Sequence, residues 1–247
     1  MKRLITHCLP VLATATLFGC STNAPLRTLY YQADNPPRNK TMVIFLRGRG
    51  GSHEDFVNEG FVDAVRERRL PVDMAAPDAH FGYYMGETLI PRLKEDLIEP
   101  AKRDGYEHFW LVGVSMGGLG ALLYAREYPD DVAGVYVISP FLSWSGILDE
   151  INGAGGVRSW EPGSYNPDAD WQRMLWHWLQ QGAAGTRELP LLYLGYGTED
   201  PYLAGQSLLA TILPADRVFA IPGNHTAKTM RELWLMFLDR DALTIAR

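Results

Sequence analysis

The residues best suited to chemistry are Gly113-Val114-Ser115-Met116-Gly117, in which a serine stands between the apolar run His108-Phe109-Trp110-Leu111-Val112 and a helical pattern opening at Met116. A strand that turns directly into a helix forces its corner residue into a strained backbone, and flanking glycines remove side chains that would collide there. The serine hydroxyl is pushed outward. The same five residues occur in glycine-rich turns that only pack a helix on a strand, so the strand before Ser115 and the helix after it are what distinguish a nucleophile. An unactivated hydroxyl attacks poorly. A base must take its proton, and a third group must orient that base.

On such a turn the order along the chain is serine, then acid, then histidine. Two histidines follow Ser115, His177 and His225. His177 sits in Trp176-His177-Trp178, which reads as packing or solvent contact, whereas His225 sits in Pro222-Gly223-Asn224-His225-Thr226, between the last expected strand and the last expected helix. His225 is the expected base. The acid should follow the preceding strand, where Gly197-Thr198-Glu199-Asp200-Pro201 offers two carboxylates. Asp200, at the turn before Pro201, is favoured over Glu199, whose alternative role is a solvated loop charge.

These groups need a frame. Apolar, β-rich runs are expected as strands at 28–32, 42–46, 72–75, 109–114, 132–138, 191–195 and 217–221, with helices at 54–68, 87–103, 116–127, 206–212 and 227–238. The alternation predicts an α/β fold with a mainly parallel central sheet flanked by helices. One stretch interrupts it. About fifty residues after the strand ending at 138 hold five of the seven tryptophans, Trp144, Trp160, Trp171, Trp176 and Trp178, and a structureless loop of that length is uncommon in a compact domain. A small helical cap insertion is expected at about 141–188, with a helix within 171–181. Trp144 and Trp160 are candidate substrate-binding residues, and the insert's own core is a compatible role for them.

Gly113-Val114-Ser115-Met116-Gly117-Gly118, Gly197-Thr198-Glu199-Asp200 and Gly223-Asn224-His225 together resemble the α/β-hydrolase family, close to its esterase, lipase and thioesterase branches. The likeness extends from about residue 28 to the C-terminus. It implies a catalytic triad of Ser115, Asp200 and His225, with an oxyanion hole formed by the Met116 N–H and, from the loop Phe45-Leu46-Arg47-Gly48-Arg49-Gly50-Gly51-Ser52, the Arg49 N–H. Many members carry His-Gly where this chain has Arg47-Gly48. The implied reaction is hydrolysis of a small-molecule carboxylic ester or thioester through an acyl-enzyme, with no cofactor and no metal. A peptidase or amidase on the same fold, and a non-catalytic binding protein of the cell envelope, remain alternatives.

Other motifs point elsewhere. The glycine-rich loop lacks the lysine of a phosphate-binding G-x-x-x-x-G-K-[ST] loop. The Arg49 side chain reads as a surface ion pair rather than an anion-binding group. His53 is expected to help cap the following helix, and His80 and His108 are expected to be structural, since none has metal-ligand spacing.

The N-terminus reads as a targeting segment. Lys2 and Arg3 precede a mostly apolar stretch to Phe18, too short for a membrane span, followed by Leu17-Phe18-Gly19-Cys20 and polar Ser21-Thr22-Asn23-Ala24-Pro25. This resembles a bacterial lipoprotein signal, which implies removal of residues 1–19, lipidation of Cys20, a linker at 20–27 and a hydrolase domain at 28–247. By the same resemblance, Ser21 after the cysteine implies an outer-membrane anchor facing the periplasm. An ordinary secretory signal is the alternative. The other cysteine, Cys8, falls inside the signal, so the mature chain has one cysteine and no internal disulfide. Of 247 residues 47% are hydrophobic and 21% charged, as for a single globular domain, and net charge is −6. Losing Lys2 and Arg3 makes it −8. The sole basic cluster, Arg66-Glu67-Arg68-Arg69, is interrupted by an acid, so nucleic acid is an unexpected partner and the membrane would be held by acyl chains rather than charge.

Overall fold

Strands built from continuous apolar residues need cover on both faces, and the chain supplies it with a helix after nearly every strand. The computed structural model describes residues 24–33, 40–240 and 242–244; Cys20 and the signal segment lie outside them. The strands are β1 Thr28–Tyr31, β2 Thr41–Leu46, β3 Asp73–Pro77, β4 His108–Val114, β5 Val132–Ile138, β6 Leu191–Gly197 and β7 Val218–Ile221. They form one sheet in the order β1-β3-β2-β4-β5-β6-β7. β1 runs antiparallel to β3 and every other pair is parallel. All of β2 is buried. All seven expected strands are present, with ends shifted by at most two residues.

The helices are α1 Asp55–Asn58, α2 Phe61–Glu67, α3 Phe81–Met85, α4 Leu89–Leu93, α5 Glu99–Arg103, α6 Met116–Glu127, α7 Ser145–Gly153, α8 Trp171–Ala183, α9 Leu203–Ala210 and α10 Ala227–Leu238. The single helix expected at 54–68 is two, because Gly60 takes a left-handed conformation with φ 77° between α1 and α2. His53 does not cap α1, which has no side-chain cap; its Nδ1 faces Asp78 Oδ1 at 3.5 Å. His80 instead caps α3, accepting from the Gly82 N–H at 3.1 Å. Between α4 and α5 the turn Lys94–Ile98 is π-helical. Pro100 explains it, since its ring crowds the carbonyl of Asp96 inside that turn.

Two apolar layers cover the sheet. One packs α4 to α9 against one face, and the other packs α1, α2 and α10 against the opposite face around Phe45, Phe61 and Trp234. The insert holds α7 and α8, and its Trp176 indole donates to Ser143 Oγ at 2.8 Å. It joins the first layer through Ile151, Val157, Trp160 and Leu175. Among the described residues no helix is long and apolar enough to cross a membrane.

The closest backbone approach in this frame lies under α6. A Cβ on Gly113 would overlap Gly117 in the first turn of α6, and one on Gly117 would overlap the Leu46 carbonyl at the end of β2. Backbone cannot yield as a side chain tip can. Gly117→Ala is therefore expected to lower the free energy of unfolding by about 1 to 3 kcal/mol. Urea denaturation checks it, with Gly50→Ala, whose Cβ would meet nothing within 4 Å, leaving the midpoint in place.

Candidate active site

Ser115 occupies the corner between β4 and α6 with φ 54° and ψ −117°, a conformation that costs roughly 1 to 3 kcal/mol unless its surroundings impose it. They do. Its N–H donates to the Ile138 carbonyl at 2.9 Å, and its carbonyl accepts from Phe141 and Gly118, each at 3.0 Å. The side chain therefore stands at the C-terminal edge of the sheet, half-buried and facing the loops after β6 and β7.

Those two loops are bonded to each other. Thr198 N–H donates to the Ile221 carbonyl and Glu199 N–H to the Gly223 carbonyl, both at 2.8 Å, and Gly197 has no Cβ that would strike Gly223. These bonds hold the acid loop and the histidine loop together. His225 Nδ1 donates to Asp200 Oδ2 at 2.8 Å, and Ser115 Oγ donates to His225 Nε2 at 3.0 Å. With its Nδ1 proton on the carboxylate, the ring presents a lone pair to the serine. Asp200 is 4% exposed, whereas Glu199 lies in solvent.

Burial alone would raise the Asp200 pKa, but the His225 ring, the Tyr202 N–H at 2.9 Å from Oδ1 and the Ser139 hydroxyl outweigh it, and the carboxyl sits below its ordinary range. A depressed carboxyl contributes stability above the ordinary carboxylate range and loses it as pH falls through the folded value. Asp200 thus remains ionised at neutral pH and keeps the imidazole oriented.

Ser115 and His225 open on a cavity of about 310 Å³. One wall is the loop 47–51, and the other includes Phe56, Phe61, Met230 and Tyr202. Gly48 lies against Ser115, since a Cβ there would be 3.3 Å from Ser115 Cβ. Arg49 lines the cavity beside it. Met116 is the first residue of α6, and a helix leaves its first N–H groups without intrahelical acceptors. A family model described as "Putative esterase" matches residues 25–213. The chain belongs to this esterase family. It is an ester-cleaving serine hydrolase of the α/β-hydrolase fold.

No curated protein matches this esterase. Solved structures match its fold. S-formylglutathione hydrolase (FrmB) from Staphylococcus aureus shares 12% identity at a TM-score of 0.58, covering 88% of this chain and 96% of its own. Monoacylglycerol lipase from Paleococcus ferrophilus shares 16% at 0.56, covering 90% and 99%. Est1E from Butyrivibrio proteoclasticus, solved with ferulic acid bound, shares 16% at 0.55, covering 87% and 94%.

The tryptophan-rich insert does not roof the cavity, for none of its residues at 141–188 lines it. Trp160, expected to bind substrate, is 2% exposed inside the insert; its indole donates to Glu150 at 2.8 Å and Arg173 lies over its ring at 5.6 Å. It belongs to the insert's own core. Trp144 is 60% exposed and packs edge-on to Phe141 at 4.7 Å, which packs on Tyr202 at 5.4 Å, which meets His225 edge-on at 5.1 Å. This line of rings joins Trp144 to the edge of the cavity. His177 bonds the Tyr165 hydroxyl at 2.8 Å within the insert, away from Ser115. The Arg49 guanidinium forms no ion pair among the described residues; it lies over the Phe81 ring at 4.5 Å. Tyr202 and Glu59 also escaped sequence reasoning. Glu59 lines the cavity, and its pKa is raised by burial and by neighbouring Asp55. Neither residue lies in a motif, so only the fold places them there.

Proposed function

We propose that this esterase hydrolyses carboxylic esters or thioesters through a covalent acyl-enzyme, with Ser115 as nucleophile, His225 as base and acid, and Asp200 as the group that orients it. The hydrogen-bonded chain from Asp200 through His225 to Ser115 Oγ at the mouth of a cavity carries this reading. Ser115 Oγ attacks the carbonyl carbon as its proton passes to His225 Nε2, and the C=O electron pair moves onto the oxygen. The Met116 and Arg49 N–H groups receive that oxyanion, each such donor being worth about 3 to 4 kcal/mol in a comparable hole. Collapse of the adduct breaks the bond to the leaving group, which takes the proton back from His225. Water repeats the cycle on the acyl-enzyme, releasing the acid and restoring Ser115.

The solved neighbours bear the names of a formylglutathione hydrolase, a monoacylglycerol lipase and a ferulic acid-binding enzyme, so this fold accommodates varied acyl groups. Here the ring series Tyr202, Phe141 and Trp144 favours an apolar or aromatic group longer than the cavity. The segment before the domain adds a location. The residues Leu17-Phe18-Gly19-Cys20 support lipidation at Cys20 and catalysis at the surface of the outer membrane facing the periplasm.

Three outcomes are expected. Purified protein turns over p-nitrophenyl esters faster than aminoacyl anilides and is labelled by a fluorophosphonate, while Ser115→Ala loses the label and about 10⁵- to 10⁶-fold in kcat; faster anilide turnover would favour an amidase, and an unlabelled native protein a binding role. Trp144→Ala raises KM for long acyl chains more than for acetate, whereas Trp160→Ala lowers the thermal midpoint and leaves that ratio alone; equal KM effects on both chain lengths would remove Trp144 from the site. In a bacterial host, Cys20→Ala moves the protein from the membrane to the soluble fraction, and unchanged fractionation would end the lipid-anchor proposal.

A further inference from the structure

The direction of β1 decides where the chain enters the domain. β1 runs antiparallel to β3 with Thr28 opposite Pro77, so it starts at the edge where the parallel strands end and where Ser115, Asp200 and His225 stand. A parallel first strand would have entered at the opposite edge. The residues before β1 are tied down as far as Ala24: the Leu26 N–H donates to Asp96 Oδ2 at 2.9 Å, and the Ala24 carbonyl accepts from the Tyr83 hydroxyl of α3 at 3.0 Å. From Ala24 back to Cys20 are four peptide steps, which reach at most about 14 Å. Acyl chains on Cys20 therefore hold α3 close to the bilayer that receives them.

The same edge carries most of the exposed apolar side chains. Six large ones are exposed among the described residues, and four follow strands at this edge: Phe81 and Met85 on α3 after β3, Trp144 ahead of α7 after β5, and Tyr202 ahead of α9 after β6. They flank the cavity. Tyr202 lines it, Phe81 lies under the Arg49 guanidinium that also lines it, and the Tyr84 hydroxyl of α3 donates to the Met116 carbonyl at 3.1 Å, in the first turn after Ser115. Tether and cavity mouth are thus joined through α3. Tryptophan and tyrosine are the side chains that settle at headgroup level, with an apolar body in the acyl boundary and a polar handle in water. Charge does not supply the attraction. Arg27 and Arg49 are exposed on this edge, but so are Glu87 and Glu199, and the net charge is −8 once Lys2 and Arg3 are lost.

We propose that this edge rests on the bilayer that holds Cys20, with Phe81, Met85, Trp144 and Tyr202 at headgroup level, and that the esterase draws a long-chain acyl ester from that bilayer across Tyr202 into the cavity. The inference rests on the readings of Cys20 as a lipid anchor and of Ser115 as the nucleophile.

The test uses the shortage of thiols. Lipidation occupies Cys20 and Cys8 leaves with the signal, so an introduced cysteine carries the single free thiol. Met85→Cys and Met236→Cys, the latter in the last turn of α10, are each labelled with a polarity-sensitive fluorophore in the lipidated protein, which is then reconstituted in vesicles of phosphatidylethanolamine and phosphatidylglycerol. The label at position 85 is expected to shift to the blue and to be quenched by spin-labelled lipid, while the label at position 236 keeps its aqueous emission. Met85 lies outside the cavity. Met85→Glu is therefore expected to lower kcat/KM on p-nitrophenyl palmitate held in those vesicles by about three- to tenfold, with p-nitrophenyl acetate in solution changed less than about twofold. Labels that behave alike in protein that floats with the vesicles overturn the proposal, as does a loss that is equal on both esters or absent from both. A blue label at position 85 in the unanchored Cys20→Ala protein without vesicles gives the face to a second copy of the chain and also overturns it. Failure of the supporting readings ends the proposal by a different route: an unanchored native protein does not float with the vesicles, and a chain without this chemistry turns over neither ester.

Discussion

Everything in the site depends on how closely the first turn of α6 approaches the ends of β2 and β4. The helix axis can reach the sheet edge only where side chains are missing, and Gly113, Gly117 and Gly118 clear that space against one another, against the Leu46 and Arg47 carbonyls and against Pro140. Because β4 runs straight into α6, Ser115 has no residues in which to spread the change of direction and takes all of it at φ 54°. The strain is local, and the restraint is distributed through hydrogen bonds to β5 and the segment after it. The same approach places Gly48 of the β2 loop against Ser115. A single packing contact thus orients the serine hydroxyl, begins a helix at Met116 and brings the glycine loop beside both.

The remaining chemistry comes from neighbouring strand ends. In a parallel sheet every C-terminal end lies on one edge, so residues distant in sequence converge there when their strands are close in order. Ser115, Asp200 and His225 follow β4, β6 and β7, which with β5 are four consecutive strands of the sheet. Backbone bonds between the loops after β6 and β7 then fix the distance from carboxylate to imidazole. Asp200 is a charge almost removed from water, a costly placement unless donors surround it. The His225 ring and the Tyr202 N–H provide that surrounding. The same donors that make the buried charge tolerable hold it where it orients the base.

Local order made much of this legible before any fold was known. β4, α6, β5 and α10 carry long uninterrupted patterns, and the serine, acid and histidine each sit where a pattern stops. Gly60 and Pro100 were harder to interpret. Each interrupts a helical pattern without ending it, and the break at Gly60 and the π turn before Pro100 depend on packing against other elements. The tryptophans show a different limit. Trp144 and Trp160 belong to one insert and look equivalent in sequence, yet one is a surface ring and the other a core ring. Helical periodicity cannot separate them, because Trp160 lies in an irregular stretch between α7 and α8, where its indole bonds Glu150 of α7 and its ring lies under Arg173 of α8.

The placement of the insert has a consequence for selectivity. An insert packed on the flank through Ile151, Val157 and Leu175 leaves the reacting centre bounded by the loop 47–51, by Phe56 and Phe61 beside α1 and α2, and by Tyr202. Such a cavity sheds less water than a closed one, so the burden of charge stabilisation falls on fixed donors rather than on a low dielectric. Tyr202 is where the cavity meets the ring series that runs on to Phe141 and Trp144. Four charged side chains share the rim, and three are already engaged: Arg47 pairs with Asp78, Arg49 lies over Phe81 and Asp55 receives the Ser52 N–H. Burial and neighbouring Asp55 both favour the neutral form of the fourth, Glu59. Two arginines and two carboxylates thus line one cavity, and its electrostatics depend on how far Arg47 stays with Asp78 and Arg49 with Phe81.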